Sequence, residues 1–357
     1  MLENKLTVIE EKEIKASLEE RPVKEELIKI FKQGNVVLFI GAGLSVNLGL
    51  PDWNKFANNY LDFLYYECNE NINYKTYSQI KNEDFKTMLS LCRNLHRTIN
   101  ECDLHRKYNE WFRIALNECE LEGMEEDKKI EIMKLKKKSF EEIKKSNSIF
   151  RKVYELNEIF ITTNYDDILD ILVDEKNKEH SNDPDKIEYK KNKAFYKEED
   201  FKINEMNLQK GNVFHIHGSI NEPNNLIVSV EDYIKRYWGK DNTYKSFLRN
   251  IFKKYNVIFI GYSLQEVEIL QYMFKGFDIS GNKRYMIVDC YADEYLKVSI
   301  LNRYYKENYG VELIPYDKTE KGYKELEKIV DGLTIIKNEA IQNMKIYKEN
   351  LNFIRRI

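Results

Sequence analysis

Two histidines stand one residue apart in Val213-Phe214-His215-Ile216-His217-Gly218-Ser219, at the end of an apolar run. Another polar cluster, Thr162-Thr163-Asn164-Tyr165-Asp166, follows the run Ile159-Phe160-Ile161. Histidine is the side chain whose ordinary pKa suits proton transfer near neutral pH. An asparagine amide can orient a water or a sugar hydroxyl, and a carboxylate can accept from an amide. A third set, Gly41-Ala42-Gly43-Leu44-Ser45, closes the run Val36–Ile40. Glycines at a strand-to-helix turn let main-chain N–H groups approach a phosphate, although a tight turn with no ligand has the same signature. Gly49-Leu50-Pro51-Asp52-Trp53 comes next, and Gly261-Tyr262-Ser263-Leu264 closes a further run, Val257–Ile260.

The chemistry that is missing narrows the choice. The third glycine of the dehydrogenase fingerprint is replaced by Val46, and the best acid about 20 residues on is Asp62, in a helical stretch. An ordinary dehydrogenase therefore fits poorly. The five histidines contain no HExxH, and the five cysteines (Cys68, Cys92, Cys102, Cys119, Cys290) contain no CxxC pair. Neither a disulfide framework nor a four-cysteine zinc site is expected, so no metal is assigned and a reducing cytoplasm is the expected location. With 57 basic and 60 acidic residues the net charge is -3, which leaves no global footprint for nucleic acid. The chain has no apolar run long enough to span a membrane, and its first 20 residues are too charged for a secretory signal.

The elements that must hold these residues alternate along the chain. Residues 1–33 read as helical, stopping at Gly34. Unbroken β-prone runs follow at Val36–Ile40, Ile159–Ile161, Val213–His217, Val257–Ile260, Tyr285–Val288 and Val311–Ile314, the signature of strands buried on both faces. Helical patterns at Asp232–Tyr255, Leu264–Phe274 and Asp293–Asn308 separate them. Alternation of this kind predicts an α/β fold with a Rossmann-like, doubly wound parallel sheet. Residues 55–155 show no strand and read as a helical insertion. The lysine-rich segment at Lys128–Lys145 alternates Lys with Glu and reads as a solvated helix face. Residues 174–210 read as a polar loop. The expected organisation is a domain over residues 1–320 and a helical tail over 321–357.

Taken in order, GAGLS, GLPDW, TTNYD, HGS and GYSL resemble the motifs of the sirtuin NAD-binding core: GAG(I/L)S, G(I/L)PD plus an aromatic, T-x-N-x-D, HG(S/A) and G-x-S-L. Each motif is weak alone, whereas their ordered conjunction over residues 34–290 is specific. Sirtuin deacylases carry four zinc-binding cysteines after HG, and here GSINEPNNLIVSVEDYIKRY contains none. The arginine that follows their PD-aromatic triplet is replaced by Asn54. These departures resemble the zinc-free sirtuin-like proteins of bacterial antiphage defence, which hydrolyse NAD.

That resemblance implies an NAD glycohydrolase that releases nicotinamide and ADP-ribose, with NAD as substrate and no metal. His217 is the expected general base and Asn164 the residue that positions ribose or water. Asp166 is expected to accept from the nicotinamide carboxamide. Gly41, Ala42, Gly43, Ser45, Leu50, Asp52, Trp53, Gly261, Ser263 and Asp289 are the remaining expected NAD contacts. Ser45 and Asp166 also have a reading as helix caps, and Asp289, closing its strand, reads equally as a turn residue. His215, deeper in its strand, reads as structural. An unrestrained NAD hydrolase would kill its own cell, so the resemblance also implies a homo-oligomer and a separately encoded partner, such as a HerA-type ring ATPase or a phage-sensing protein. Rival readings are a regulatory module that binds NAD or ADP-ribose without turnover, and a zinc-free deacylase or ADP-ribosyltransferase.

Overall fold

The computed structural model describes residues 9–48, 50–67, 72–98, 148–181, 191–202, 208–222, 225–238, 243–264, 266–274, 281–319 and 322–354. The strands are β1 (Val36–Ile40), β2 (Ile159–Thr162), β3 (Ala194–Phe195), β4 (Val213–His215), β5 (Asn256–Ile260), β6 (Arg284–Cys290) and β7 (Val311–Asp317). They form one seven-stranded sheet in the order β3-β4-β2-β1-β5-β6-β7. Every pairing is parallel. After β1 the chain lays β2, β3 and β4 on one side of it and then crosses from β4 to place β5 on the other. The crevice above the carboxyl end of β1 is thus a topological switch point, where open α/β sheets hold ligands.

Apolar runs form these strands because both faces of the sheet are covered. Val36, Leu38 and Ile40 enter one core with Leu27, Ile30 and Phe31 of the helix Lys24–Gln33, whereas Val37 and Phe39 enter the other with Phe247, Ile251 and Phe252. The helix Lys24–Gln33 ends at Gly34, whose φ of 74° gives the left-handed cap that ordinary side chains disfavour. A third cluster joins the helices Trp53–Glu67, Tyr74–Ile80 and Phe85–Thr98 to Tyr165, Ile220, Leu226 and Val228. The first part of the helical insertion is therefore fixed to the loops above β2 and β4. The Lys128–Lys145 segment lies outside the described residues.

Several boundaries differ from the sequence reading. The first 33 residues are broken into the helix Glu11–Lys15, a 3-10 turn Leu18–Glu20 and the helix Lys24–Gln33. Arg21 sits at the second break, where its guanidinium donates to the main-chain oxygens of Ile14, Ala16 and Pro315. The expected loop 174–210 begins as helix, because Ile168–Ser181 keeps Leu169, Leu172 and Val173 on the core and turns its polar end to solvent. The same stretch contributes β3. The single helix expected over Asp232–Tyr255 is two, Val230–Trp238 and Thr243–Lys254, and the one at Leu264–Phe274 shortens to Val267–Leu270. The tail is one helix, Lys324–Ile354, and its first half, from Leu326 to Ala340, packs into the core of the domain. Among the described residues no helix is long and apolar enough to cross a membrane.

Candidate active site

Three segments meet above the switch point: Gly41–Ser45 after β1, Thr163–Asp166 after β2, and Gly261–Leu264 with Glu266 after β5. Their approach is very close. A Cβ on Gly41 would lie 2.4 Å from the Gly261 oxygen, and one on Gly261, whose φ is +66°, would lie 2.4 Å from the Leu44 nitrogen. Gly41 N–H donates to Ile260 O and Gly43 N–H to Gly261 O, both at 2.9 Å. Glycine is required here so that two strand-end loops can interlock. Those two amides are engaged by the fold, so they are not the free N–H groups expected against a phosphate.

Asn164 is at the centre. Its Nδ2 donates to Ser45 Oγ at 2.8 Å and to Gly41 O at 3.3 Å, and the Ser45 hydroxyl in turn donates to Asp166 Oδ2 at 2.7 Å. Ser45 lies within a five-residue helix, Ala42–Val46, and does not cap it. Burial pushes the Asp166 carboxyl above its usual range, while the Ser45 hydrogen bond and the charge of His215 act against the rise. The Asn164 Oδ1 atom is buried and has no hydrogen-bond partner. It is an acceptor with unused capacity.

His217 follows β4, whose last residue is His215, and both rings are fully buried. Gly218, at φ +85°, turns the chain immediately afterwards. The His217 ring stands edge-on to Tyr233 at 5.1 Å and to Tyr237 at 5.9 Å, and neither ring nitrogen has a hydrogen-bond partner. Burial, with the charges of Arg236 and Lys86, holds its pKa well below the usual imidazole value. Each of these disfavours the charged imidazolium, and the ring is held neutral. Its Nε2 lies 3.4 Å from Glu266 Oε2. Burial raises the Glu266 carboxyl to about 7, against the pull of Lys86.

Sequence reasoning missed Glu266, which the chain brings back over the site after a left-handed turn at Leu264, φ 50°. A glutamate two residues beyond the GYSL motif was the only signal, and nothing in its spacing pointed to His217.

Of the expected site residues, His217, Gly41, Gly43 and Gly261 are not among those that line the cavity beside Asn164, and the rest divide into two groups. Ala42, Ser45, Leu50, Asp52, Trp53, Asn164 and Asp166 line one small cavity of about 30 Å³, together with Phe56 and Tyr165. Trp53 packs edge-on against Tyr165 at 5.0 Å, which forms an aromatic wall. Asp52 also accepts from Lys55 N at 2.8 Å and so caps the helix that Trp53 begins. The second group stands outside the cavity. Ser263 is exposed on its rim loop. Asp289 lies within β6, not at its end as expected, because pairing with β7 extends that strand to Cys290. Its carboxylate receives Lys318 Nζ at 3.1 Å. Among the described residues no group of three or more His, Cys, Asp and Glu is placed to hold a metal ion.

A seven-stranded parallel sheet covered on both faces defines a Rossmann-like α/β protein, and the ends of its strands at the switch point are where such sheets hold ligands. Residues 158–314 match a family model described as SIR2-like domain, and the chain is similar to that family from β2 to β7. The match includes Asn164, Asp166, His217 and Glu266, whereas GAGLS and GLPDW precede it. No curated protein matches the chain.

Proposed function

We propose that this chain is an NAD glycohydrolase, with Asn164 and His217 as its catalytic residues. The observation that carries the reading is the set of buried polar atoms left without partners at the crest, Asn164 Oδ1 and both nitrogens of His217. Such atoms are costly to bury unless a ligand or water meets them. Hydrolysis breaks the bond between the ribose anomeric carbon and the nicotinamide nitrogen, and the electron pair leaves on the neutral base. Water oxygen bonds to that carbon, and its proton passes to His217. Asn164 Oδ1 accepts from a ribose hydroxyl or from the water, and the aromatic wall of Trp53, Phe56 and Tyr165 is the surface for the departing ring. Asp166, paired with Ser45, is the acceptor for the carboxamide.

An activity that drains NAD suits an effector of antiphage defence, held in check until assembly or a partner protein completes it. The projecting end of the C-terminal helix supports that extension. Purified protein, alone and concentrated, is incubated with NAD, and nicotinamide, ADP-ribose and modified protein are separated. Nicotinamide and ADP-ribose are expected in equal amounts. Asn164→Ala and His217→Ala are each expected to slow release by about 100-fold or more. Binding without release would point to a regulatory module, and ADP-ribose retained on protein to a transferase.

A further inference from the structure

His215 has an oxygen acceptor on each side. Its Nε2 lies 2.8 Å from Asp170 Oδ1, and its Nδ1 lies 3.2 Å from the main-chain oxygen of Asn164. A neutral imidazole has one N–H and one bare lone pair, so it cannot donate to both. A charged imidazolium can. Three titratable groups face the ring from the elements packed on it: Asp170 on the helix Ile168–Ser181, Asp166 in the loop after β2, and Tyr196 after β3, whose ring is 5.5 Å away.

Resting on the reading of Asn164 as the amide that meets substrate, we propose that His215 is a positioning residue held as a buried imidazolium, which grips the Asn164 peptide from behind and aims its side chain into the cavity. The geometry is a two-sided hold. His215 fixes the Asn164 carbonyl, Ser45 and Gly41 take both of its side-chain donor contacts, and Oδ1 is the atom left for the ligand. Burial alone would discharge the ring. The carboxylates of Asp170 and Asp166 and the Asn164 carbonyl outweigh it and hold the His215 pKa above the ordinary value. The charge is kept below that raised pKa and lost as the pH rises through it.

The test uses the full chain labelled with ¹⁵N-histidine, together with His215→Gln and Asp170→Asn. In the unsubstituted protein at pH 7, NMR is expected to find protons on both His215 ring nitrogens, and Asp170→Asn is expected to remove one. His215→Gln, shown folded by its melting curve, is expected to lower kcat for NAD about 10-fold with KM within about 2-fold, as for an interaction that matters in the transition state. A bare Nε2 on His215 at pH 7 overturns the proposal, and so does a folded His215→Gln with unchanged kcat. If the unsubstituted chain releases no nicotinamide, the NAD reading falls, while the ring nitrogens still decide the charge of His215.

Discussion

His215 and His217 have the same side chain, two residues apart and equally buried, yet their surroundings drive them in opposite directions. His215 meets a carboxylate and a carbonyl and is held charged, whereas His217 meets tyrosine edges and distant cations and is held neutral. In the roles proposed for them, that divergence separates a group that positions from a group that takes up a proton. Glu266 adds a pH dependence that neither histidine supplies. Its carboxyl titrates near 7, so as the pH falls through that value the negative charge beside His217 Nε2 disappears. NAD cleavage is expected to fall on the acid side with a midpoint near 7, and Glu266→Gln to flatten that limb in a pH–rate profile. The linked stability effect has the opposite sign. A folded-state pKa raised above the unfolded value favours folding at low pH, and that advantage is lost as the pH rises through 7. Glu266→Gln should therefore raise the melting temperature at pH 8 by several degrees, for a difference of at most about 3 kcal/mol, while having little effect at pH 4. An unaltered rate profile together with an unaltered melting temperature at pH 8 would remove Glu266 from the site.

Strands and loops set these side chains in place, and the interlocked glycines are the most exacting joint among them. Gly261→Ala would put a methyl 2.4 Å from the Leu44 nitrogen at a φ of +66°, against backbone that cannot swing aside. A loss of about 3 kcal/mol is expected. Gly34→Ala, at φ +74° with nothing within 4 Å of the added carbon, carries only the conformational cost of about 1 kcal/mol. Thermal melts of the two variants check the contrast, and equal losses would mean that the loops are not interlocked as described. The same elements mark what could be read in advance. The strand runs were legible because parallel strands with two covered faces are apolar throughout, and Val36–Ile40 begins and ends where its apolar run does. β3 was not legible, since Ala194–Phe195 is two residues in a polar stretch and exists only through pairing with β4. Asn164, Asp166 and His217 were legible because each follows an apolar run that ends at the sheet crest. Glu266 was not, because its partner is supplied by a different loop through the tertiary fold. The role of His215 was hidden for the same reason: Asp170 and the Asn164 carbonyl reach it only once β2 and β4 lie side by side.

At the scale of the whole molecule, the C-terminal helix divides into two parts with different surroundings. Leu326, Ile329, Val330, Leu333, Ile336 and Ala340 are buried against the helix Lys24–Gln33 and its neighbours. From Ile341 to Glu349 every residue is exposed, and Ile341, Met344 and Tyr347 carry the apolar side of the helix onward at three-residue spacing. At 1.5 Å per residue the part from Ile341 to Ile354 extends about 20 Å past the last buried turn. An amphipathic arm of this length gains by covering its apolar side, and a second copy of the chain offers the same arm to it. We propose that this arm joins subunits and that joining them switches NAD cleavage on. Ending the chain after Ala340 keeps all the helix residues that enter the core, from Leu326 to Ala340, so the melting temperature of the truncated protein should stay within a few degrees of the original. Light scattering should nevertheless find smaller species, and NAD cleavage at equal protein concentration should change with them. A full-length chain that is monomeric at micromolar concentration, and that cleaves NAD as fast after truncation as before, would exclude the arm as the switch. Activation would then have to come from a partner protein that meets the domain elsewhere.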